Sequence, residues 1–241
     1  MIALIIFLLI VALVVNQLKK NVPNTATQKL FTIIRNAAFI GIFIAAIFSS
    51  IAQVGAGEAG VQVLFGSVQD GVLKSGLNFV NPLIDVEKMD VKTQAYTMSS
   101  IRDEGQQSGD DAISSLSMDG LTLKLDVTVW FRLSENDAPQ VYRTIGMDYV
   151  EKIVRPAVRT AIRDVSVGYS ATDIYSIKRE DFVRDITKNL ENAFNGRGII
   201  LERVLLRNVE LPERVREAID EKIASEQRAQ QMVYVLQKEK Q

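Results

Sequence analysis

The first quarter of this 241-residue chain is almost free of charge, and nothing else in the sequence constrains the fold as strongly. Residues 1–57 hold four charged side chains, Lys19, Lys20, Lys29 and Arg35, and no acid at all. Residues 1–18 are uncharged and apolar without a break from Ile2 to Val15. A helix of that length reaches about 27 Å, just enough to cross the hydrocarbon of a bilayer. Residues 36–57 form a second uncharged run, and the stronger transmembrane candidate, with Phe39, Ile42, Phe43, Ile44, Ile47, Phe48 and Ile51 as its membrane-anchoring side chains. The first run lacks a basic n-region and a clear small-residue cleavage site, so it reads as a membrane helix rather than a cleaved leader.

Orientation follows from the same four cations. They fall in residues 19–35 with no acid beside them, whereas the stretch after the second run carries Glu58, Asp70 and only Lys74. The positive-inside rule keeps the 19–35 loop in the cytoplasm, so residues 58–241 are expected on the extracytoplasmic side. The competing arrangement, with the domain on the cytoplasmic face, would carry all four cations across the bilayer.

Two absences narrow the chemistry. With no cysteine there is no disulfide framework, no thiolate nucleophile and no S-acylation site, so attachment to the membrane rests on the polypeptide itself. With no histidine, the commonest general base and the commonest transition-metal ligand are both missing. A formal net charge of -1, without a basic patch interleaved with aromatics, argues against a nucleic-acid partner. The expectation is a protein that is not an enzyme and uses no cofactor or metal.

Past residue 57 the period of the apolar residues changes several times. Residues 59–65 read as a strand, followed by turn signals at Gly66, Asp70-Gly71 and Ser75-Gly76 and a short extended piece over 77–80. A further extended stretch covers 86–98, and 102–111 reads as an exposed polar loop. From Leu121 to Leu133 every odd position is apolar, which predicts a half-buried strand worth roughly 10 to 20 kcal/mol of burial as an upper bound. Val150, Ile153, Val154, Ala157, Val158, Ala161, Ile162 and Val165 then repeat at helical spacing. Pro156 inside that pattern predicts a kink or a helix starting there, and the unbroken phase favours the kink. A second helix is expected over 178–195, capped by Ser176 and stopped by Gly196 and Gly198, then a strand over 199–206.

Leu211-Pro212-Glu213 opens a long charged helix over 211–241 with balanced acids and bases, including Arg216 with Asp220 and Lys222 with Glu226. Its few apolar anchors include Val215, Ile219, Ile223, Met232, Val233 and Leu236. A helix this polar is ordered by neighbouring helices or chains, or else it frays as a solvated tail.

Other patterns have plainer readings. Gly55-Ala-Gly-Glu-Ala-Gly matches G-x-G-x-x-G but follows a membrane helix and precedes a strand, the reverse of a dinucleotide site; it reads as a flexible junction. Arg155, Arg159 and Arg163 form a stripe that would face lipid headgroups, a neighbouring subunit or solvent. Asp103, Glu104, Asp110 and Asp111 lack ligand spacing and read as a solvated loop.

The run Val54-Gly-Ala-Gly-Glu-Ala-Gly-Val-Gln-Val-Leu-Phe-Gly, followed by Gly71-Val-Leu-Lys-Ser-Gly-Leu-Asn-Phe-Val-Asn-Pro, resembles the opening of a prohibitin-like SPFH (band-7) domain. The likeness continues through the strand at 119–133, Tyr142-Arg-Thr-Ile-Gly with residues 149–162, Arg179-Glu-Asp, and residues 198–210 leading into the charged helix. The resemblance implies an α+β fold: an SPFH domain of two subdomains over 58–210, antiparallel strands and then helices packed on a sheet. An N-terminal transmembrane anchor precedes it and a long C-terminal coiled-coil arm follows. It also implies a scaffold in a bacterial-type inner membrane, self-associated into a ring or cage around a membrane microdomain. The implied partners are the lipid bilayer, further copies of the chain and an FtsH-type membrane protease; an adaptor that binds the protease without forming a cage is the alternative. The chain departs from the family in its extra hydrophobic segment and in ending early in the arm, where a longer coiled region is expected.

Overall fold

The computed structural model describes residues 2–20, 25–102, 104–105 and 109–239. The uncharged runs form two helices, α1 (Ile2–Lys20) and α2 (Thr25–Ser49), that pack on each other. Ala12, Ala38 and Ala45 are buried, and such small side chains allow close backbone approach. α2 starts earlier than residue 36 because no glycine or proline intervenes between Pro23 and Gly41 to stop it. Lys29 and Arg35, expected in a loop, are therefore helical. α2 also ends earlier than residue 57: the Ser50 hydroxyl donates to the Ala46 carbonyl at 2.8 Å, and the chain becomes extended at Ile51.

The chain divides into two compact units. The first contains α1, α2, five strands and a short helix. β1 (Ile51–Val54) pairs with β4 (Gly76–Phe79), and β2 (Glu58–Leu64) lies between β3 (Ser67–Leu73) and β5 (Ile84–Asp90), all antiparallel. α3 (Ala138–Thr144), which the sequence reading did not mark, packs on β2 and β3, and its Ala138 and Val141 are buried. Gly60 is obligatory in β2, since a Cβ there would lie 2.9 Å from both Leu73 Cβ and Val54 Cγ2. Asp70-Gly71 is not a turn but part of β3, where Asp70 accepts from Arg143 of α3 at 2.5 Å; the reversal is made at Phe65-Gly66. The glycine motif is a hydrogen-bonded turn between β1 and β2, not a flexible junction: the Gly55 amide donates to the Glu58 carboxylate at 3.0 Å, and Gly57 has φ +76°.

The second unit is built on one long strand. β8 (Thr122–Leu133) pairs along one edge with β6 (Gln94–Met98) and β7 (Ile113–Leu116) in succession, and along the other with β9 (Ile199–Glu210). The stretch expected over 86–98 is thus two strands, β5 and β6, that belong to different units. α4 (Arg155–Ser166) packs against β7, α5 (Arg179–Phe194) against β9 and α4, and α6 (Glu213–Glu239) follows β9. The odd positions of β8 from Leu123 to Leu133 are buried, as are Val158, Ile162, Phe182, Ile186, Leu190 and Phe194. The even side is not simply solvated: Asp126 is buried and accepts from the Ser100 amide at 2.9 Å, and Thr128 bonds Thr97 at 2.9 Å.

Helix starts differ from expectation in an informative way. A single π turn, Val150–Val154, leads into α4, so Pro156 falls in the first turn, where its missing N–H is harmless. Ser176 does not cap α5; it sits in a second π turn, Asp173–Ile177, and donates back to the Thr172 carbonyl at 3.0 Å. Gly196 and Gly198, both with positive φ, end α5.

Candidate membrane anchor and assembly surfaces

Helical spacing turns Phe39, Phe43, Ile44, Ile47 and Phe48 outward from the α1–α2 pair, with Phe43 and Phe48 each 67% exposed, while Ile42 is half-buried. Such a row has no place in water. Among the described residues one stretch, Gln28–Ser49, is long and apolar enough to cross a membrane. Ile51 stands apart from the other anchor residues because it is extended and pairs with Phe79.

Exposed apolar side chains that periodicity did not reveal lie on the strands and connections that follow α2. The Val80 amide donates to the Ser50 carbonyl at 2.8 Å, and the Ser49 hydroxyl to the Pro82 carbonyl at 3.5 Å, so the β4–β5 connection lies against the helix exit. Leu64 pairs with Ile84, which brings the Phe65-Gly66 turn to the same end of the sheet. Phe65 and Phe79 are each 82% exposed, and Leu77 and Leu83 are exposed beside them. Phe65 also holds φ +49°, a conformation that favours glycine. The clue in the sequence was an aromatic residue directly before a turn glycine.

The arginine stripe and the acidic loop, expected to be solvated or to face other molecules, are joined to each other. Asp111 is buried; it accepts from Arg155 at 2.6 Å and also from Arg159, and Arg163 reaches the Ser114 carbonyl at 3.4 Å. Its hydrogen bond to Asp111, with their mutual attraction, holds the Arg155 guanidinium above its ordinary range. Asp110 stays at the surface and pairs with Lys124 at 2.9 Å; Glu104 accepts from the Ser99 hydroxyl at 2.6 Å and from Arg207. Asp103 lies outside the described residues. Tyr96 donates to Glu151 at 3.4 Å, and burial, reinforced by that carboxylate, pushes its phenol up to about 12. No cluster of three or more acidic side chains able to hold a metal occurs among the described residues.

On α6, Ile219 is buried, Val215 is half-buried and Met232 is exposed. The side chains of Ile223, Val233 and Leu236 lie outside the described set. Arg216 pairs with Glu213, one turn back, rather than with Asp220.

Comparison with known proteins agrees with this architecture. The SPFH domain / Band 7 family matches residues 52–240. Prohibitin-7, mitochondrial, from Arabidopsis thaliana is 25% identical over 225 residues, covering 92% of this chain and 76% of that protein. Prohibitin-1 from Saccharomyces cerevisiae is 24% identical over 218 residues, covering 89% and 71%. With a lipid-compatible helix leading into two antiparallel β units, and a family match that runs through both, the chain belongs to the SPFH domain / Band 7 family and is prohibitin-like.

Proposed function

We propose that this protein is a non-enzymatic, membrane-anchored scaffold subunit that assembles laterally into a ring or cage around a patch of bilayer. The observation that carries the reading is the outward row of Phe and Ile on α2, which passes into a folded β unit after a single residue, Ser50. With so short a junction, the height of the domain above the membrane is set by the helix. The exposed Phe65, Leu77, Phe79 and Leu83 then rest in the headgroup region, where apolar side chains on a polar backbone are stable.

In this reading residues 58–210 pack side by side and α6 extends the wall. Val215, Ile223, Met232, Val233 and Leu236 meet neighbouring copies, as a polar helix that is marginal alone requires, while Ile219 packs within its own chain. Residues 58–241 lie outside the cytoplasm of a bacterial-type inner membrane, and the enclosed client is an FtsH-type protease or a comparable membrane protein. Extraction in mild detergent followed by electron microscopy tests the assembly: a very large closed particle is expected, and a monodisperse monomer overturns it. An open complex in which protease and protein co-purify would instead identify an adaptor. A reporter fused after Gln241 that is active only in the cytoplasm would reverse the orientation.

A further inference from the structure

Two charges fall within the bilayer-compatible stretch of α2: Lys29, one residue from its start, and Arg35, set deeper. Arg35 lies about 10 Å along α2 from Gln28, inside the stretch that suits a bilayer. Its Nη2 donates to the Asn36 side-chain carbonyl at 3.3 Å, a bond that supplies no negative charge. No acid precedes Glu58, which lies beyond the opposite end of α2, so α1 and α2 contain no carboxylate to neutralise it. A guanidinium at that depth is costly unless an anion meets it.

The surroundings of Arg35 have the shape of an amphiphile. Between α1 and α2 lies an open cavity of about 380 Å³ lined by Leu9, Ala12, Leu13, Asn16, Arg35 and Phe39. Its walls are apolar, and its two polar residues, Asn16 and Arg35, lie toward the connected ends of the helices. Lys19, Lys20 and Lys29 flank that end in sequence, adding positive potential that favours a net-negative headgroup over a zwitterionic one.

We propose that this cavity binds an anionic phospholipid, its phosphate held by Arg35 and Asn16 and one acyl chain laid along Leu9, Leu13 and Phe39. The guanidinium fork suits two phosphate oxygens at once, and the acyl chain fills space that a free anion would leave empty. The lipid then completes the α1–α2 interface. The site rests on the membrane-anchored reading above, and it adds a specific lipid to it.

The test is native mass spectrometry of the full chain in mild detergent, titrated with phosphatidylglycerol and with phosphatidylcholine of the same acyl chains. One phosphatidylglycerol per chain is expected to bind at least tenfold more tightly than phosphatidylcholine. Arg35→Gln should abolish that preference, and Leu13→Trp, which fills the cavity while keeping the cation, should weaken both lipids. Equal binding of the two lipids, an unchanged preference in Arg35→Gln, or displacement by millimolar inorganic phosphate overturns the site. Alkaline carbonate extraction of the same proteins separates the two failures. If the wild type is released from membranes, the anchor falls and the lipid site with it; if it is retained while binding ignores headgroup charge, the site alone falls.

Discussion

Asp111 illustrates how a single residue takes its role from partners far along the chain. Its carboxylate is buried between Arg155 and Arg159, which lie 44 and 48 residues away, and next to it in sequence Asp110 is merely a surface ion. Replacing Asp111 with Ala leaves two facing cations uncompensated. Because both arginines remain about a quarter exposed, the expected loss is at the lower end of about 3–5 kcal/mol. The shift in urea midpoint, followed by the fluorescence of Trp130, measures it; an Asp110→Ala control should move little. Asp119 offers a pH-dependent test. Burial acts to raise its carboxyl, but hydrogen bonds from the Ser117 hydroxyl and the Ala171 amide outweigh that and hold it below the usual range. A depressed carboxylate stabilises the fold above its unfolded value of about 3.9, and that contribution disappears as pH falls through the lower folded value. Asp119→Asn should therefore be less stable than wild type at neutral pH and converge with it in acid, as read from denaturation midpoints across a pH series.

At the scale of elements, α2 and α4 show where periodicity is a sufficient guide and where it is not. The apolar content of α2 was plain in the sequence, but its ends were set by what stops a helix: no breaker stood before residue 36, and strand pairing took over at Ile51. In α4 the apolar phase was visible throughout, yet the π turn that moves Pro156 into a first-turn position leaves no mark in a hydrophobic pattern. Phe43→Lys puts a charge on the outward face of α2 inside the stretch that suits a bilayer, about 9 Å from its Ser49 end, where the cost stays below the roughly 2.5–3.5 kcal/mol of a helix centre. The expected result is partial release from membranes by alkaline carbonate, whereas Thr25→Lys, at the start of the helix, should leave retention unchanged.

For the whole molecule, the decisive arrangement is that one chain crosses between two units three times, with residues 134–147 returning to the first after β8 and before the helices and β9 that complete the core of the second. Local patterns marked the longer strands and helices, but not α3, β1 or β7, which are short and carry no long period, nor β3, whose Asp70-Gly71 reads locally as a turn. If α6 extends an assembled wall, deleting residues 213–241 should shrink the detergent-extracted particle by several-fold in mass while membrane retention is preserved. Light scattering coupled to size-exclusion chromatography reads the first, and carbonate extraction the second.

What the sequence determined by itself is what depends on composition and short-range order. An uncharged apolar run suits lipid whatever follows it, and the alternation from Leu121 to Leu133 admits a strand with one fixed face inward. Only the tertiary structure decided which polar residues are buried and which apolar ones are left outside. Asp111 and the arginines are joined by folding across α4 and the segment before β7, and Phe65, Phe79 and Leu83 are left exposed on the paired strands and connections that follow α2. Such placements arise from contacts between residues distant in sequence, and a carboxylate or a phenyl ring carries no local sign of which distant partner it will meet.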